Sequence, residues 1–140
     1  MTPLILDSSI VVKRLNQDGE NNLDKADKIL ADVEAGRVTL IAPELMKYEV
    51  GNVLLRGKQL TLKQAKVCLT TFYSVPIRFV SDTADLAQQT FLLAKKWKIT
   101  YYDAAFMTLA KTYDACLITD NLKHQGRDPR IKTVALKDYS

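Results

Sequence analysis

The sequence predicts an α/β domain with three layers, α/β/α, around a central, mostly parallel sheet of about five strands. Short and almost wholly apolar segments are typical of parallel strands covered on both faces, and segments with the helical spacing of apolar residues separate them. The chain has 140 residues, of which 47% are hydrophobic. A chain of this length can bury a core without disulfides or a structural metal. We therefore expect residues 1–140 to form a single domain.

Five apolar segments predict the strands, and the segments between them predict six helices. The strand segments cover residues 4–6, 38–41, 77–80, 115–118 and 131–135. The helices are expected to start near residues 8, 22, 43, 61, 83 and 101. The expected N-caps are Asp7 or a following serine, Thr61, and Ser81 or Asp82, and Pro43 suits a first helical turn. Gly36 and Gly57 are expected to end the second and third helices. Residues 121–130 show neither pattern. Because strands and helices alternate, we expect right-handed crossovers and a ligand crevice beyond the carboxyl ends of the strands.

The charge of the chain changes sign along its length. Residues 1–57 carry 7 basic and 9 acidic side chains, whereas residues 58–140 carry 13 basic and 7 acidic ones. A basic second half can attract a polyanion such as nucleic acid, although a plain solvated surface has the same composition.

The histidine and cysteine content excludes several chemistries. His124 is the single histidine, so a two-histidine acid–base pair and a His-rich zinc site cannot be built. Cys68 and Cys116 have apolar neighbours, which is typical of buried thiols. The N-terminal apolar run is too short for a signal peptide, and no run of about 18 apolar residues is present. We expect a cytoplasmic protein with no membrane contact.

Two acids stand at the ends of predicted strands. Asp7 directly follows the first strand, and Asp120 follows the fourth. Each alone has an ordinary explanation, because aspartate caps helices and begins loops. Both are nevertheless expected at the crevice edge of the sheet.

Two further acids share a helix face with apolar residues. Glu49 lies on the apolar stripe of the third helix, and Asp103 precedes Phe106 and Met107 at helical spacing. The stripe consists of Leu45, Met46, Val50, Val53 and Leu54. A desolvated carboxylate must be paired, protonated or bound to a cation. Asp103 also suits the first turn of a helix capped by Thr100.

The four acids could converge on one crevice. Carboxylates without Lys or Arg among them repel one another, and a divalent cation relieves that repulsion at neutral pH. Oxygen ligands favour Mg²⁺ or Mn²⁺ over zinc.

These residues give the sequence a resemblance to the PIN domain family, and within it to the VapC-type ribonuclease toxins of prokaryotic toxin–antitoxin pairs. The motifs are LDSS at residues 6–9, PELMKYEVGNVL at 43–54, YDAA at 102–105 and LITD at 117–120. The resemblance implies an Mg²⁺- or Mn²⁺-dependent endoribonuclease that hydrolyses RNA phosphodiester bonds and leaves 5′-phosphate and 3′-hydroxyl ends. It also implies a homodimer and a cognate, VapB-like antitoxin.

The resemblance further implies catalytic and metal-ligand roles for Asp7, Glu49 and Asp103. The fourth acid of the family pattern follows a threonine by two residues, a place that Asn121 holds here, and Asp120 stands one position earlier. Either Asp120 serves as the fourth acid, or Asn121 contributes an amide oxygen and the site carries one negative charge less. Ser8, Thr119 and Asn121 are candidates to orient the ligands by hydrogen bonds.

Basic and aromatic residues around the predicted crevice suit an RNA substrate. The candidates for phosphate contacts are Lys13, Arg14, Lys123 and Arg127, and the candidates for stacking on bases are Tyr48, Tyr101 and Tyr102. Ordinary surface charge and helix packing are the alternatives for each.

Two other functions stay open at this point. A catalytically weak PIN-like module that binds RNA or protein has the same fold, and the order of Asp120 and Asn121 favours it. A receiver-like phosphoacceptor domain also carries acids at strand ends, but it needs two adjacent acids after the first strand, where this chain has Asp7 and Ser8.

Overall fold

The computed structural model describes residues 1–15, 22–57 and 59–140. Its strands are β1 (Thr2–Leu6), β2 (Val38–Pro43), β3 (Ile77–Val80), β4 (Cys116–Ile118) and β5 (Thr133–Val134). They form one sheet in the order β3-β2-β1-β4-β5, and every pairing is parallel. The predicted α/β class with a five-stranded central sheet is confirmed.

Seven helices are described in these ranges. They are α1 (Ser8–Leu15), α2 (Leu23–Glu34), α3 (Leu45–Arg56), α4 (Leu62–Ser74), α5 (Ala84–Trp97), α6 (Tyr101–Thr112) and α7 (Leu122–Gln125). No helix of the described part of the chain is long and apolar enough to cross a membrane.

The order of the strands creates a crevice between β1 and β4. The chain runs outward from β1 through β2 to β3 and then returns past β1 to β4 and β5. Because parallel crossovers are right-handed, this reversal puts the helices before β3 on one face and α5 and α6 on the other. The carboxyl ends of β1 and β4 therefore form a topological switch point, the usual place of a ligand site in such sheets.

The core on both faces fixes this edge of the sheet. Ile5 and Leu117 of the central strands, Met46 of α3 and Phe106 of α6 are fully buried. Burial of an apolar side chain of this size contributes about 1.5–3 kcal/mol. The residues that follow β1 and β4 are thus held by a packed scaffold.

Several expected boundaries are wrong. Pro43 pairs with Val80 as the last residue of β2 and does not enter α3, which begins at Leu45. The cap of α5 is Thr83, whose hydroxyl accepts a hydrogen bond from the backbone N–H of Leu86, and neither Ser81 nor Asp82 fills that place. Thr61 and Gly36 are confirmed, since Thr61 forms a capping box and Gly36 has a φ of 74° at the end of α2.

The end of the chain also differs from the prediction. Residues 121–130, where no helix or strand was expected, contain the short helix α7. The strand expected over residues 131–135 covers only Thr133–Val134, and a 3-10 turn over Leu136–Asp138 follows it. Val53 of the α3 stripe is exposed, whereas Met46, Val50 and Leu54 are buried. Cys68 is buried as expected, but Cys116 is only half-buried, because it begins β4 beside a cavity.

A charged cluster closes the amino edge of the sheet, and we call it the amino-edge cluster. It consists of Asp32, Lys28, Arg37 and Tyr139. Asp32 is 4% exposed and accepts hydrogen bonds from the Tyr139 hydroxyl at 2.6 Å and from Arg37 Nε at 2.8 Å. Lys28 Nζ lies 3.2 Å from the same carboxylate. The bonds from Tyr139 and Arg37 lower the pKa of Asp32 to about 2, although burial raises it.

Candidate active site

Three of the predicted acids meet at the carboxyl edge of the sheet, and we call them the acid cluster: Asp7, Glu49 and Asp103. Asp7 follows β1 directly, and its backbone N–H donates to the carbonyl of Ile118 at the end of β4. Glu49 lies on α3, and Asp103 lies in the first turn of α6. The switch point therefore brings together residues that are 42 to 96 positions apart in the sequence.

Neighbouring side chains hold each carboxylate in place. The buried Ser8 donates its hydroxyl proton to Glu49 Oε1 at 2.8 Å, and Ser9 donates to Asp7 Oδ2 at 2.6 Å. Ser8 therefore contacts Glu49, and its role in orienting a metal ligand stays a prediction. Ser9 was not predicted, although its position beside Asp7 in an Asp-Ser-Ser segment is a signal for such a hydrogen bond.

Gln125 links the two aspartates from the other side. Its Nε2 donates to Asp7 Oδ1 at 3.4 Å and to the backbone carbonyl of Asp103 at 3.2 Å, while its Oε1 accepts from the Thr119 hydroxyl at 2.6 Å. Gln125 is fully buried. No sequence pattern indicated it, because α7 has only four residues and shows no periodicity.

The acid cluster has an unfavourable balance of charge. Burial raises the pKa of Glu49, and the charges of Asp7 and Asp103 raise it further, whereas the hydrogen bond from Ser8 lowers it. Burial also raises the pKa of Asp103, with a further contribution from Asp7, and contacts with Thr100, His124 and Asn121 lower it. In the described ranges, no Lys or Arg nitrogen lies within ion-pair distance of these three carboxylates.

The carboxylate oxygens of the acid cluster are suitable ligands for a hard divalent cation, but they do not form a complete coordination shell. Within residues 1–15, 22–57 and 59–140, no three His, Cys, Asp or Glu side chains form a ready-made metal-ligand group. The charge of Asp7 raises the pKa of both Glu49 and Asp103, so the three carboxylates lie near one another without forming such a group. Mg²⁺ is usually held by one or two carboxylates and keeps several waters, so this oxygen-only arrangement suits it.

Asp120 and Asn121 point to different partners. Asp120 Oδ2 forms an ion pair with Lys13 Nζ at 2.7 Å. Asn121 Nδ2 lies 3.4 Å from Asp103 Oδ2, and its backbone N–H donates to the Thr119 hydroxyl at 2.9 Å. Of these two residues, Asn121 is therefore the one whose side chain reaches the acid cluster.

The predicted phosphate contacts differ in availability. Lys13 is engaged with Asp120, and Arg14 Nε lies 2.9 Å from Asp27 Oδ1. Arg127 donates to the backbone carbonyls of Lys123 and Trp97, which ties it to the end of α5. Lys123 is exposed.

Comparison with known proteins agrees with this fold. The family model of the PIN domain matches residues 4–127. VapBC2 from Rickettsia felis, solved with a DNA fragment from its promoter, aligns with a TM-score of 0.74 and 19% identity over 96% of this chain and 98% of that chain. VapC20 from Mycobacterium tuberculosis, a toxin that cleaves the sarcin–ricin loop, aligns with a TM-score of 0.63 and 15% identity over 81% of this chain and 86% of that one.

A third solved structure gives the same result. DNA-bound VapBC from Salmonella typhimurium aligns with a TM-score of 0.70 and 11% identity over 97% of this chain and 99% of that chain. At these identities the three structures show a common fold. Curated protein sequences gave no match.

Proposed function

Because this chain belongs to the PIN domain family, we propose that it is a metal-dependent endoribonuclease that hydrolyses RNA phosphodiester bonds. The observation that carries the proposal is the acid cluster, three carboxylates without an ion-pair partner in the described chain at the switch point of the sheet. Residues 1–140 act as one catalytic unit in this proposal, in the cytoplasm, where RNA is available.

The proposed cofactor is Mg²⁺ or Mn²⁺. Asp7, Glu49 and Asp103 would hold it, with either Asn121 or Asp120 in the fourth place. A bound divalent cation supplies a water of lowered pKa and neutralises charge on the phosphoryl oxygens. Ser8 would orient the carboxylate of Glu49, and Ser9 and Gln125 that of Asp7, through their hydrogen bonds.

The RNA would approach over the basic second half of the chain. Lys123 and Arg127 flank the crevice after β4, and Lys13 lies beside Asp120. Contacts of these residues with phosphates would make binding weaker at higher salt concentration. Lys13 would have to exchange its ion pair with Asp120 for a phosphate, whereas Lys123 is exposed.

The proposed partner is a VapB-like antitoxin, with this chain as the toxin of a type II pair. Two of the structural neighbours are toxin–antitoxin assemblies solved with DNA. An arginine from such a partner would satisfy the uncompensated acid cluster, because a guanidinium binds carboxylates through two parallel hydrogen bonds. A small protein with a basic tail, encoded next to this chain, should co-purify with it and block cleavage.

A homodimer is the proposed assembly. Phe91 and Leu92 of α5 are largely exposed and lie together with Tyr101 along one apolar groove. Exposed apolar patches of this kind mark contacts between proteins. Light scattering should give twice the chain mass, and Phe91→Asp should shift it to the single chain; a monomeric wild type would contradict the assignment.

A second candidate function is a PIN-like binding module with weak catalysis. The observation in its favour is Asn121, an amide where the family pattern has an acid. Absence of cleavage together with RNA or protein binding would support it.

The decisive test is incubation of total RNA with the purified chain and Mg²⁺ or Mn²⁺, followed by mapping of the new ends. We expect cleavage with 5′-phosphate and 3′-hydroxyl ends that EDTA and Asp7→Asn both abolish. Asp24→Asn is the matched control, because Asp24 is an exposed acid in the first turn of α2. Cleavage by Asp7→Asn at the wild-type rate would contradict the proposal.

A further inference from the structure

A cavity of about 170 Å³ opens beside the acid cluster, at the carboxyl ends of β2 and β3. We call it the side pocket; its walls include Glu44, Asp82, Thr90, Tyr101, Tyr102 and Leu109. Tyr102 precedes Asp103 on α6, and Glu44 precedes α3, the helix that carries Glu49. Neighbouring strands lie about 4.8 Å apart, so the side pocket is one to two strand spacings from Asp7, about the length of one nucleotide.

The charged groups of the side pocket, Glu44 and Asp82, are acceptors. The Tyr101 hydroxyl donates to Asp82 Oδ2 at 3.2 Å, and the buried Thr90 hydroxyl donates to Thr108 at 2.9 Å, so the protons of both hydroxyls are used. None of the described residues that line the pocket is Lys, Arg or His.

This arrangement selects the chemistry of a ligand. A phosphate would meet two carboxylates, Glu44 and Asp82, with no cation in the wall to offset them. Lys47, which does not line the pocket, forms an ion pair with Glu44, with 2.8 Å between Nζ and Oε2. Of the two pocket carboxylates, Asp82 is therefore the one without an ion-pair partner in the described chain. The favoured ligand therefore presents N–H donors.

The lining of the pocket suits an aromatic ring. Tyr101 and Tyr102 are 37% and 57% exposed and border the opening, while Leu86 and Leu109 form apolar walls. Unpaired RNA bases are commonly bound by stacking on aromatic side chains and by hydrogen bonds to their Watson–Crick edges. A single nucleobase is of comparable size to the cavity.

We propose that the side pocket binds an unpaired guanine base of the RNA next to the cleaved phosphate, with Asp82 as the residue that reads it. This inference rests on the proposed RNA hydrolysis. Guanine presents two adjacent donors, N1–H and the 2-amino group, and a carboxylate accepts both. Uracil presents one N–H between two carbonyl oxygens, and adenine and cytosine present one amino group beside a ring acceptor, so each pairs less well with a carboxylate.

The test compares two RNA oligonucleotides that differ only by guanine or inosine at one position beside the mapped cleavage site. Inosine lacks the 2-amino group. We expect wild-type kcat/KM to be about tenfold higher for the guanine RNA, a typical discrimination for one two-bond contact. Asp82→Asn should bring the ratio of the two rates close to one.

The control is Asp85→Asn. Asp85 is an exposed acid of α5 that accepts from Gln89 Nε2 at 2.8 Å, and it is not among the residues that line the side pocket. This variant should keep both rates and their ratio. Circular dichroism should show that Asp82→Asn and Asp85→Asn are both folded.

The outcomes separate this inference from the proposed function. Equal wild-type cleavage of both RNAs, or an unchanged ratio in Asp82→Asn, contradicts the guanine site and leaves the nuclease intact. If no RNA is cleaved, the proposed function is contradicted, and fluorescence anisotropy with two unpaired RNA oligonucleotides that differ only by guanine or inosine at one position then tests the site. Equal wild-type affinity for the two would overturn the inference in that case.

Discussion

A single carboxylate, Asp32, lies at one edge of the sheet and the three carboxylates of the acid cluster lie at the opposite edge, and their surroundings shift the pKa in opposite directions. In the amino-edge cluster, Asp32 receives bonds from Tyr139, Arg37 and Lys28, and its pKa falls to about 2. In the acid cluster, burial and mutual repulsion raise the pKa of Glu49 and Asp103. The amino-edge cluster has matched charges and the acid cluster does not.

The difference separates structural from functional acids. A carboxylate with matched partners stabilises the folded chain, whereas one that is buried near like charges costs stability until a cation or proton arrives. Such a cost is retained where it serves binding or catalysis, so a raised pKa at a switch point is a functional signal. The amino-edge cluster joins α2 to the C-terminus through Tyr139.

The largest expected contrast comes from the same substitution at the two edges. Asp103→Asn should lower the rate of RNA cleavage at least about 100-fold, because removing a metal ligand costs more activity than removing a residue that supports one. The melting temperature of this variant should be unchanged or higher. Asp32→Asn should lower the melting temperature by several degrees, because Arg37 and Lys28 lose their counter-charge, while the folded fraction still cleaves. Thermal unfolding and a cleavage assay on both variants measure this.

The opposite pattern would break the comparison. Loss of stability in Asp103→Asn, or loss of cleavage in fully folded Asp32→Asn, would mean that the two edges do not divide structure from catalysis.

Gln125 is expected to serve both roles. Gln125→Met keeps the length of the side chain but removes the hydrogen bonds to Asp7, Thr119 and the carbonyl of Asp103. We expect cleavage to fall about tenfold and the free energy of unfolding to fall by about 1–3 kcal/mol. Denaturant unfolding and single-turnover cleavage would measure the two effects; a loss of stability with an unchanged cleavage rate would assign Gln125 to the fold alone.

The two edges should respond to pH with opposite signs. Where the folded pKa is raised, as for Glu49 and Asp103, stability falls as the pH rises through that value. Asp32 has its pKa lowered from 3.8 to about 2, so its contribution is present above about pH 4 and is lost as the pH falls toward 2.

Glu49→Gln isolates the first effect, because the amide oxygen can still accept from Ser8. We expect it to raise the melting temperature by a few degrees at about pH 8 and much less at about pH 4, where the wild-type carboxyl is largely protonated. The same shift at both pH values would show that packing, and not charge, separates the two proteins.

The smallest effects are expected after β4. Asp120→Asn should change cleavage only a few-fold, since Asp120 is paired with Lys13. Asn121→Asp should strengthen metal binding a few-fold, because it adds a carboxylate beside Asp103. Cleavage rates measured over a range of metal concentrations distinguish the two residues. A larger loss of cleavage in Asp120→Asn than in Asn121→Ala would show that Asp120, and not Asn121, is the fourth metal ligand.

The sequence predicted the parts of the site that depend on regular patterns. Asp7 follows from the end of an apolar strand, and Glu49 from its place on an apolar helix stripe. The partners of Asp120 and Asn121 could not be predicted, because a one-residue choice after a strand depends on side-chain direction and on the position of Lys13. Gln125 was missed because its helix is too short for periodicity, and Pro43 because proline suits a strand end as well as a first helical turn.

Calorimetric titration of Mn²⁺ into the wild-type chain and into Asp7→Asn tests most directly whether the acid cluster is a metal centre. The account predicts binding at or below millimolar Mn²⁺ to the wild type and strongly weakened binding to Asp7→Asn, because the substitution removes one of the three carboxylates. Equal binding by the two proteins, or none to the wild type at millimolar Mn²⁺, would contradict it.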